Sequence, residues 1–160
     1  MAVARVHVRA WQIAYRGLLP DAYLDRLLAE DRAQSYDFAS HDPLKSWTVV
    51  AAEGLVIHGF ATVAPSRDAD LAGYGELYAL YVDPEYWGRG VGVVLMKAAR
   101  GRLFELGFVS ANLWLLAGNA RAGRFYEIDG WRQDGQRRTA EVWGVTVDEV
   151  RYLRGIDAAD

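Results

Sequence analysis

The sequence contains no cysteine, and this absence excludes several kinds of site. Without cysteine the chain can form no disulfide, no thiolate nucleophile and no cysteine-ligated metal centre. Histidine is scarce as well: His7, His41 and His58 lie far apart and lack the H-x-x-x-H spacing typical of metal ligands. We therefore expect no metal, and we assign the histidines to the surface or to ordinary packing.

The sequence also lacks an excess of positive charge and any long apolar run. Its formal net charge is −3, whereas nucleic-acid-binding domains usually carry a basic surplus on one face. We place the nearest basic cluster, Arg137 and Arg138, at a solvated hairpin tip. No segment approaches the ~20 apolar residues that span a bilayer, and the N-terminus lacks the apolar stretch of a signal peptide. We expect a soluble cytoplasmic protein without nucleic-acid or membrane partners.

The chain is long enough for one domain with a real core, because 52% of its 160 residues are hydrophobic and no linker-like stretch divides it. Periodicity predicts helices at residues 4–15 and 21–38, the second with a break near Glu30. A turn at Glu53 and Gly54 predicts the first of three adjacent antiparallel strands. A helix, a strand, a helix and a final strand pair or one bent strand follow. This order predicts an α/β (α+β) fold with a mixed central sheet, mostly antiparallel in its N-terminal half and flanked by helices.

A glycine-rich segment, "YVDPEYWGRGVG", joins a predicted strand to a predicted amphipathic helix. Such a turn presents unpaired backbone N–H groups at the positive end of the helix dipole, where phosphate binds. Gly88, Gly90 and Gly92 would let an anion approach the main chain, and Arg89 adds a positive charge. The spacing matches neither the dinucleotide fingerprint nor the P-loop. By itself the pattern is equally compatible with a tight turn that binds nothing.

Two separated motifs resolve that ambiguity. "VDPEYWGRGVG" and "NARAGRFYEIDGW" together resemble the acetyl-CoA-binding half of the GNAT superfamily of N-acetyltransferases. The resemblance implies that the glycine turn holds the pyrophosphate of coenzyme A through main-chain N–H groups. Gly90 and Gly92 match the family's glycines. Trp87 departs from the pattern, because the family carries arginine or glutamine there, and this puts the shape of the turn in doubt.

The resemblance is strong over residues 76–131 and looser outside them. It implies an acceptor side at residues 1–75, an acetyl-CoA-binding core at residues 76–131 and C-terminal strands at residues 132–160. The family's usual first strand would precede the first helix, and here it is missing or truncated. Either that strand is missing here, or another segment or a second copy of the chain covers the exposed sheet edge, which leaves a homodimer open.

The resemblance also implies roles for individual residues. Tyr126 corresponds to a tyrosine that protonates the thiolate of coenzyme A, although a buried aromatic side chain is the structural alternative. Asn119 is an apt N-cap and a candidate pantetheine contact. Lys97 is a weaker candidate for phosphate, with a solvated helix face as its alternative. The full set of cofactor-binding positions implied by the resemblance is Leu80, Tyr81, Val82, Trp87, Gly88, Arg89, Gly90, Val91, Gly92, Asn119, Arg121 and Tyr126.

Glu76 corresponds to the general base of histone-type family members. In a regular strand it would share a face with Tyr78, Leu80 and Val82. Four residues separate it from Leu80, where the resemblance places the thioester, and at ~3.3 Å each this distance requires a water chain for proton transfer. A solvated edge glutamate is the alternative.

We expect the acceptor to lie opposite the coenzyme, against the first two helices. Aromatic candidates for its walls are Trp11, Tyr15, Tyr23, Trp47, Tyr74 and Tyr78. Acidic residues that could attract a cationic amine are Asp21, Asp25, Asp31, Asp37 and Asp42. Core packing and a solvated face explain these two groups equally well.

The resulting prediction is an enzyme that transfers the acetyl group directly from acetyl-CoA to a primary amine of a small molecule, without a metal. A protein α-amine or lysine is the alternative acceptor, favoured by an open groove rather than a closed aromatic pocket. A non-catalytic acyl-CoA sensor or interaction module is the second alternative. A glycine turn without a ligand is the third, and it requires the second motif to match by chance.

Overall fold

The computed structural model describes residues 1–36, 38, 42 and 45–158. Asp37 and His41, which the sequence analysis considers, lie outside this part of the chain. The helices are α1 (Ala2–Ala14), α2 (Asp21–Leu24), α3 (Ala29–Ala33), α4 (Val91–Glu105) and α5 (Ala120–Ile128). The strands are β1 (Trp47–Glu53), β2 (Val56–Pro65), β3 (Gly75–Val82), β4 (Ser110–Leu116), β5 (Arg132–Val142) and β6 (Val145–Gly155).

The strands form one six-stranded sheet in the order β1-β2-β3-β4-β6-β5. Every neighbouring pair is antiparallel except β3 and β4, which run parallel. The parallel pairing is short: it joins Gly75 to Ala111 and Glu76 to Asn112. Beyond this point β3 and β4 separate, so their facing edges leave backbone groups unpaired with each other. A cleft therefore opens in the middle of the sheet.

Helices cover both faces of the sheet. One core cluster contains residues of α4 and α5 together with the strand residues that face them, among them Leu95, Leu103, Leu113 and Trp131. On the opposite face α1 buries Val3, Val6 and Ala10, which recur at the i, i+3, i+7 spacing of a single helix face. The cleft therefore lies between a layer that contains α4 and α5 and a layer that contains α1.

The fold confirms the predicted class, and it confirms the three antiparallel strands β1, β2 and β3. The predicted second helical region breaks into two short helices, α2 and α3, as expected, but the break covers residues 25–28, just before Glu30, and α3 ends at Ala33. The final strands are a hairpin that turns at Trp143 and Gly144, both with positive φ. Consequently Arg137 and Arg138 lie within β5, and the prediction that they occupy a hairpin tip is wrong.

One edge of the sheet is formed by β1, whose pairing partner among the described residues is β2. No strand precedes α1 among residues 1–36. Across the described residues, no helix is both long enough and apolar enough to cross a membrane.

Candidate active site

The glycine turn follows β3 and leads directly into α4. Gly88 has φ +72° and Gly90 has φ +82°, a region that side-chain-bearing residues rarely adopt. Gly90 is the N-cap of α4, so the N–H groups of the first helical turn have no partner within the helix. A Cβ added at Gly88 or Gly90 would meet no atom within 4 Å, which leaves the space above the turn open. The turn is thus shaped to receive an anion.

Gly92 serves packing rather than turn geometry. A Cβ at this position would lie 3.4 Å from the ring of Phe125 on α5, at the close end of van der Waals contact. The small residue therefore lets α4 approach α5. Both helix N-termini, each preceded by a turn, are held at the same edge of the cleft.

The Trp87 side chain joins the glycine turn to the end of β3. Its indole Nε1–H donates a hydrogen bond to the carbonyl oxygen of Val82 at 2.8 Å, which ties the turn to the last residue of β3. The Cζ atom of Arg121, on α5, lies 3.4 Å from the centroid of the same indole ring. The tryptophan therefore preserves the turn and positions a guanidinium beside it. The same bond occupies the carbonyl of Val82, one of the predicted cofactor-binding positions.

A cavity of about 990 Å³ runs through the cleft and connects the two faces of the sheet. On one side it is lined by the glycine turn and by Asn119, Arg121 and Tyr126 of the second motif. On the other side it is lined by α1, by Arg32 and Tyr36, and by the β5–β6 hairpin. The structure therefore brings the predicted cofactor positions to one end of a tunnel whose other end faces α1.

A β-bulge in β3 changes which side chains face this tunnel. Thr62 pairs with Ala79 and Val63 pairs with Leu77, so Tyr78 is the extra residue. The bulge reverses the alternation: Leu77, Leu80 and Val82 pack with the α4 layer, while Ala79 and Tyr81 pack with α1. The prediction that Glu76 shares a face with Leu80 and Val82 is therefore wrong, because it assumed a regular strand.

Tyr126 is buried and lines the cavity. Its hydroxyl makes no hydrogen bond to any residue in the described part of the chain. Burial raises the pKa of Tyr126 well above its ordinary value, and the neighbouring Tyr81 contributes further. The hydroxyl is therefore protonated at neutral pH and is available as a proton donor.

Two further tyrosines approach Tyr126 from the other side of the cleft. The Tyr15 and Tyr81 hydroxyl oxygens are 3.5 Å apart. Burial raises the pKa of both, most strongly for Tyr15, where Tyr81 adds to the effect. Tyr81 was predicted as a cofactor-binding position, and the contribution of its side chain was missed because its orientation depends on the bulge.

Glu76 is buried, with 2% of its side chain exposed, so the alternative of a solvated glutamate is wrong. Its Oε1 accepts from Arg67 Nη2 at 2.7 Å, and its Oε2 accepts from the Arg67 backbone N–H at 3.1 Å. Arg67 thus engages both carboxylate oxygens. Its guanidinium also lies 3.9 Å from the ring centroid of Tyr78, which holds it over the carboxylate.

A second carboxylate, Glu149 of β6, lines the cavity and was missed by the sequence analysis. Its Oε2 accepts from Arg138 Nε at 2.7 Å. In the sequence, the alternating side-chain directions of the predicted strand "VTVDEV" place Val147 and Glu149 on one face, and this was the available indication of a role for Glu149. Which face turns toward the cleft depends on how β6 pairs with β4, and one sequence does not show this.

His7 was predicted to have a surface or ordinary packing role, and the structure places it in the wall of the cavity. Its ring stacks on Tyr81 with centroids 4.3 Å apart. Arg32 Nε donates to His7 Nδ1 at 3.1 Å, which assigns the ring proton to Nε2 because arginine can only donate. Burial, with a contribution from the charge of Arg32, lowers the pKa of His7 well below its ordinary value. The ring is therefore neutral.

Of the predicted acceptor walls, Trp11, Tyr15, Trp47 and Tyr78 line the cavity, while Tyr23 and Tyr74 do not. Of the predicted acidic residues that the structure describes, Asp21, Asp25, Asp31 and Asp42, none lines the cavity, and Asp21 and Asp25 pair with Arg16 on the surface. Among the described residues, the carboxylates that line the cavity are those of Glu76, Glu141 and Glu149.

Asn119 caps α5 as predicted, because its Oδ1 accepts a hydrogen bond from the Ala122 N–H at 3.2 Å. Lys97 is absent from the residues that line the cavity. The contacts of Asn119 and Arg89 with a coenzyme remain predictions.

Comparison with known proteins places these features in context. Residues 8–131 match the profile of a family described as "Acetyltransferase (GNAT) family". An uncharacterized N-acetyltransferase, YuaI of Bacillus subtilis, is 31% identical over 117 residues. That match covers 73% of this chain and 66% of the Bacillus protein, slightly less than two thirds of its length.

Solved structures share the architecture. PaiA N-acetyltransferase of Thermoplasma acidophilum, in complex with coenzyme A, superposes with a TM-score of 0.67 at 19% identity, covering 92% of this chain and 89% of that one. The ribosomal-protein-S18-alanine N-acetyltransferase of Escherichia coli gives a TM-score of 0.63 at 18% identity, covering 98% and 88%. At these identities the likeness concerns the fold.

Proposed function

The chain belongs to the GNAT family of acetyltransferases, and we propose that it transfers the acetyl group directly from acetyl-CoA to a primary amine of a small molecule. The observation that carries the proposal is the cavity: it joins an anion-binding glycine turn to an aromatic pocket through the opened sheet. A thioester held in the cleft would present its carbonyl toward that pocket.

The residues present fit the coenzyme. Gly88 and Gly90 leave open space over the unpaired N–H groups of α4, which suits a pyrophosphate. Arg121, stacked on Trp87, supplies a positive charge at the same place. The free edges of β3 and β4 beyond Glu76 and Asn112 offer main-chain groups to an extended pantetheine arm.

A small acceptor is favoured by the contacts that hold the β5–β6 hairpin turn against α1 and its neighbours. The hairpin turn folds over α1, with the Trp11 and Trp143 rings 5.0 Å apart. The Tyr23 hydroxyl donates to the Trp143 carbonyl oxygen at 2.7 Å, and Arg32 lies 4.9 Å from the Trp143 ring centroid. An extended peptide would have to displace these contacts, whereas a small amine would not.

In the proposed reaction Tyr126 protonates the departing thiolate. Tyr126 lines the cavity, its hydroxyl has no hydrogen-bond partner among the described residues, and burial keeps it protonated. The acceptor must lose a proton before its nitrogen can attack, so a base is also required. Glu76 was predicted for this role, but it would have to be released by Arg67 first.

The first experiment is calorimetric titration with acetyl-CoA of the protein and of a Gly90→Glu variant, which places a carboxylate over the glycine turn. Two controls are needed, because Gly90 has a positive φ and Gly101 does not. Gly101→Glu adds the same charge to α4, where an added Cβ meets nothing within 4 Å, and Gly90→Ala adds a Cβ at the same positive φ without the charge. We expect binding by the protein and by both controls, and none by Gly90→Glu. No binding by the unaltered protein would overturn the proposal.

Measurements of catalytic turnover distinguish the proposed enzyme from a non-catalytic sensor and a small acceptor from a protein acceptor. Release of free thiol from acetyl-CoA in the presence of primary amines would support the enzyme. Acetyl-CoA binding without thiol release for any amine or peptide would favour the non-catalytic sensor. Faster release with peptides than with small amines would favour a protein acceptor.

A further inference from the structure

We propose that Glu149, held by Arg138, is the carboxylate that binds the acceptor's ammonium group and takes its proton. This inference rests on the proposed function and names the catalytic base of that same site. It concerns a strand outside the acetyl-CoA-binding motifs.

The position of Glu149 follows from the pairing of the strands. Glu149 of β6 pairs with Leu116, the last residue of β4, on the far side of the cleft from β3. Val147 and Glu149 share the face of β6 that lines the cavity with α1. The carboxylate therefore lies on the acceptor side of the opened sheet, at the widest part of the cleft, whereas Glu76 lies where β3 and β4 are still paired.

Only one of the two carboxylate oxygens of Glu149 has a partner among the described residues. Arg138 engages Oε2, and Oε1 makes no hydrogen bond or ion pair within the described residues. Arg138 is itself fixed, because its guanidinium lies 4.1 Å from the Trp114 ring centroid and 3.7 Å from an oxygen of Asp68. One carboxylate oxygen is thus anchored and the other is left for a ligand in the cavity.

The two other cavity carboxylates are less suited to the role. Both oxygens of Glu76 are taken by Arg67. Glu141 is exposed near the hairpin turn, where solvent weakens its interaction with an ammonium group. Glu149 alone combines partial burial, with 12% of its side chain exposed, and an open oxygen.

The charge of Glu149 acts on residues of three other parts of the cavity wall. Arg138 of β5 contacts it directly, and its negative charge influences Tyr15, which follows α1, and Tyr81 of β3. Burial is the main cause of the raised pKa of Tyr15 and Tyr81, and the negative charge of Glu149 adds to it for both. Glu76 contributes to neither. Glu149 is therefore the carboxylate whose charge reaches the tyrosine hydroxyls beside Tyr126.

The reaction by this route requires three proton transfers. The acceptor arrives as an ammonium ion, and Oε1 of Glu149 takes its first proton, which passes to solvent after turnover. The neutral nitrogen forms a bond to the thioester carbonyl carbon, and the carbon–sulfur bond breaks as the electron pair leaves with sulfur. Tyr126 protonates that sulfur and regains a proton from the nitrogen, so the products are an amide, a thiol and one released proton.

The test measures acetylation of 2-phenylethylamine, hexylamine and tyramine across pH 6 to 10 by the protein, by Glu149→Gln and by Glu149→Asp. At pH 7 we expect Glu149→Gln to lower kcat/KM about 10²-fold, with a smaller loss in Glu149→Asp. The loss should shrink toward pH 10, because the amine is then already neutral. A merely structural role would give the same loss at every pH.

The controls separate this inference from the proposed function. Glu105→Gln removes a surface carboxylate that also pairs with an arginine, Arg102, and should leave turnover unchanged. Unchanged acetyl-CoA affinity in Glu149→Gln would show that the fold is intact. If Glu149→Gln acetylates the amines at the unaltered rate, or if only Glu76→Gln loses activity, the assignment of Glu149 is overturned while the proposed function stands. If the unaltered protein binds acetyl-CoA but acetylates none of the amines, both fail.

Discussion

The guanidinium carbon of Arg121 lies 3.4 Å from the centre of the Trp87 indole ring. Trp87 occupies the position where the family resemblance expects arginine or glutamine, and Arg121 comes from the first turn of α5. The stacking therefore supplies a positive charge beside the glycine turn from a different element. Trp87 is therefore compatible with phosphate binding, because Arg121 of α5 supplies the positive charge that an arginine at position 87 would supply.

Replacement of Arg121 by alanine is expected to weaken acetyl-CoA binding about 5- to 10-fold, the value of one partly solvated phosphate contact. Calorimetric titration would measure it, with Arg124→Ala on the exposed face of α5 as the control. S-acetylpantetheine, which lacks the pyrophosphate, should bind both variants alike. An equal loss for both ligands would mean that Arg121 acts on the shape of the turn.

Replacement of Trp87 by phenylalanine keeps an aromatic ring under Arg121 but removes the hydrogen bond to the Val82 carbonyl oxygen. We expect the free energy of unfolding to fall by about 1 kcal/mol, the usual net value of such a bond. Urea denaturation would measure the change. An unaltered midpoint would show that the bond does not hold the turn to β3.

Replacement of Tyr126 by phenylalanine is expected to lower kcat about 10²-fold and to leave acetyl-CoA affinity within about twofold. The reason is that the substitution removes only the hydroxyl, which bonds to no residue in the part of the chain that the structure describes. Because burial raises the pKa of Tyr126, its proton is retained throughout the range below pH 10, and the unaltered enzyme should show no alkaline decline from this group there. Single-turnover kinetics would separate the chemical step from binding. Unchanged kcat would assign Tyr126 to packing.

The buried, neutral His7 makes stability depend on pH. Burial, together with Arg32, lowers its pKa in the folded protein, while the unfolded chain retains a value of about 6.5. As the pH falls, His7 is therefore protonated at a higher pH in the unfolded chain than in the folded protein. The stabilising contribution is present above about pH 6.5 and is lost as the pH falls, with a slope approaching about 1.4 kcal/mol per pH unit.

Denaturant unfolding at several pH values between 5 and 8 would measure this slope. In His7→Gln, which cannot titrate, the part of the slope due to His7 should disappear even if the variant is less stable at every pH. An identical slope in both proteins would show that His7 takes up its proton without unfolding.

The sequence alone determined the features that depend on local spacing. The order of helices and strands, the glycine turn and the N-cap at Asn119 are each specified by residues within a few positions of one another, because helix periodicity, positive φ and capping are local effects. The match to the family's two motifs also placed Tyr126 on a helix beside the cleft, and the structure puts it in the cavity wall.

Tertiary structure decided which side chains meet there. A single extra residue at Tyr78 reverses the faces of β3, and local sequence contains no rule that locates the bulge. Arg67 over Glu76, Arg121 on Trp87 and Arg138 on Glu149 join residues that are 9, 34 and 11 positions apart in the chain. Such contacts are set by strand register and helix docking, since a one-residue shift moves a side chain to the opposite face of the sheet.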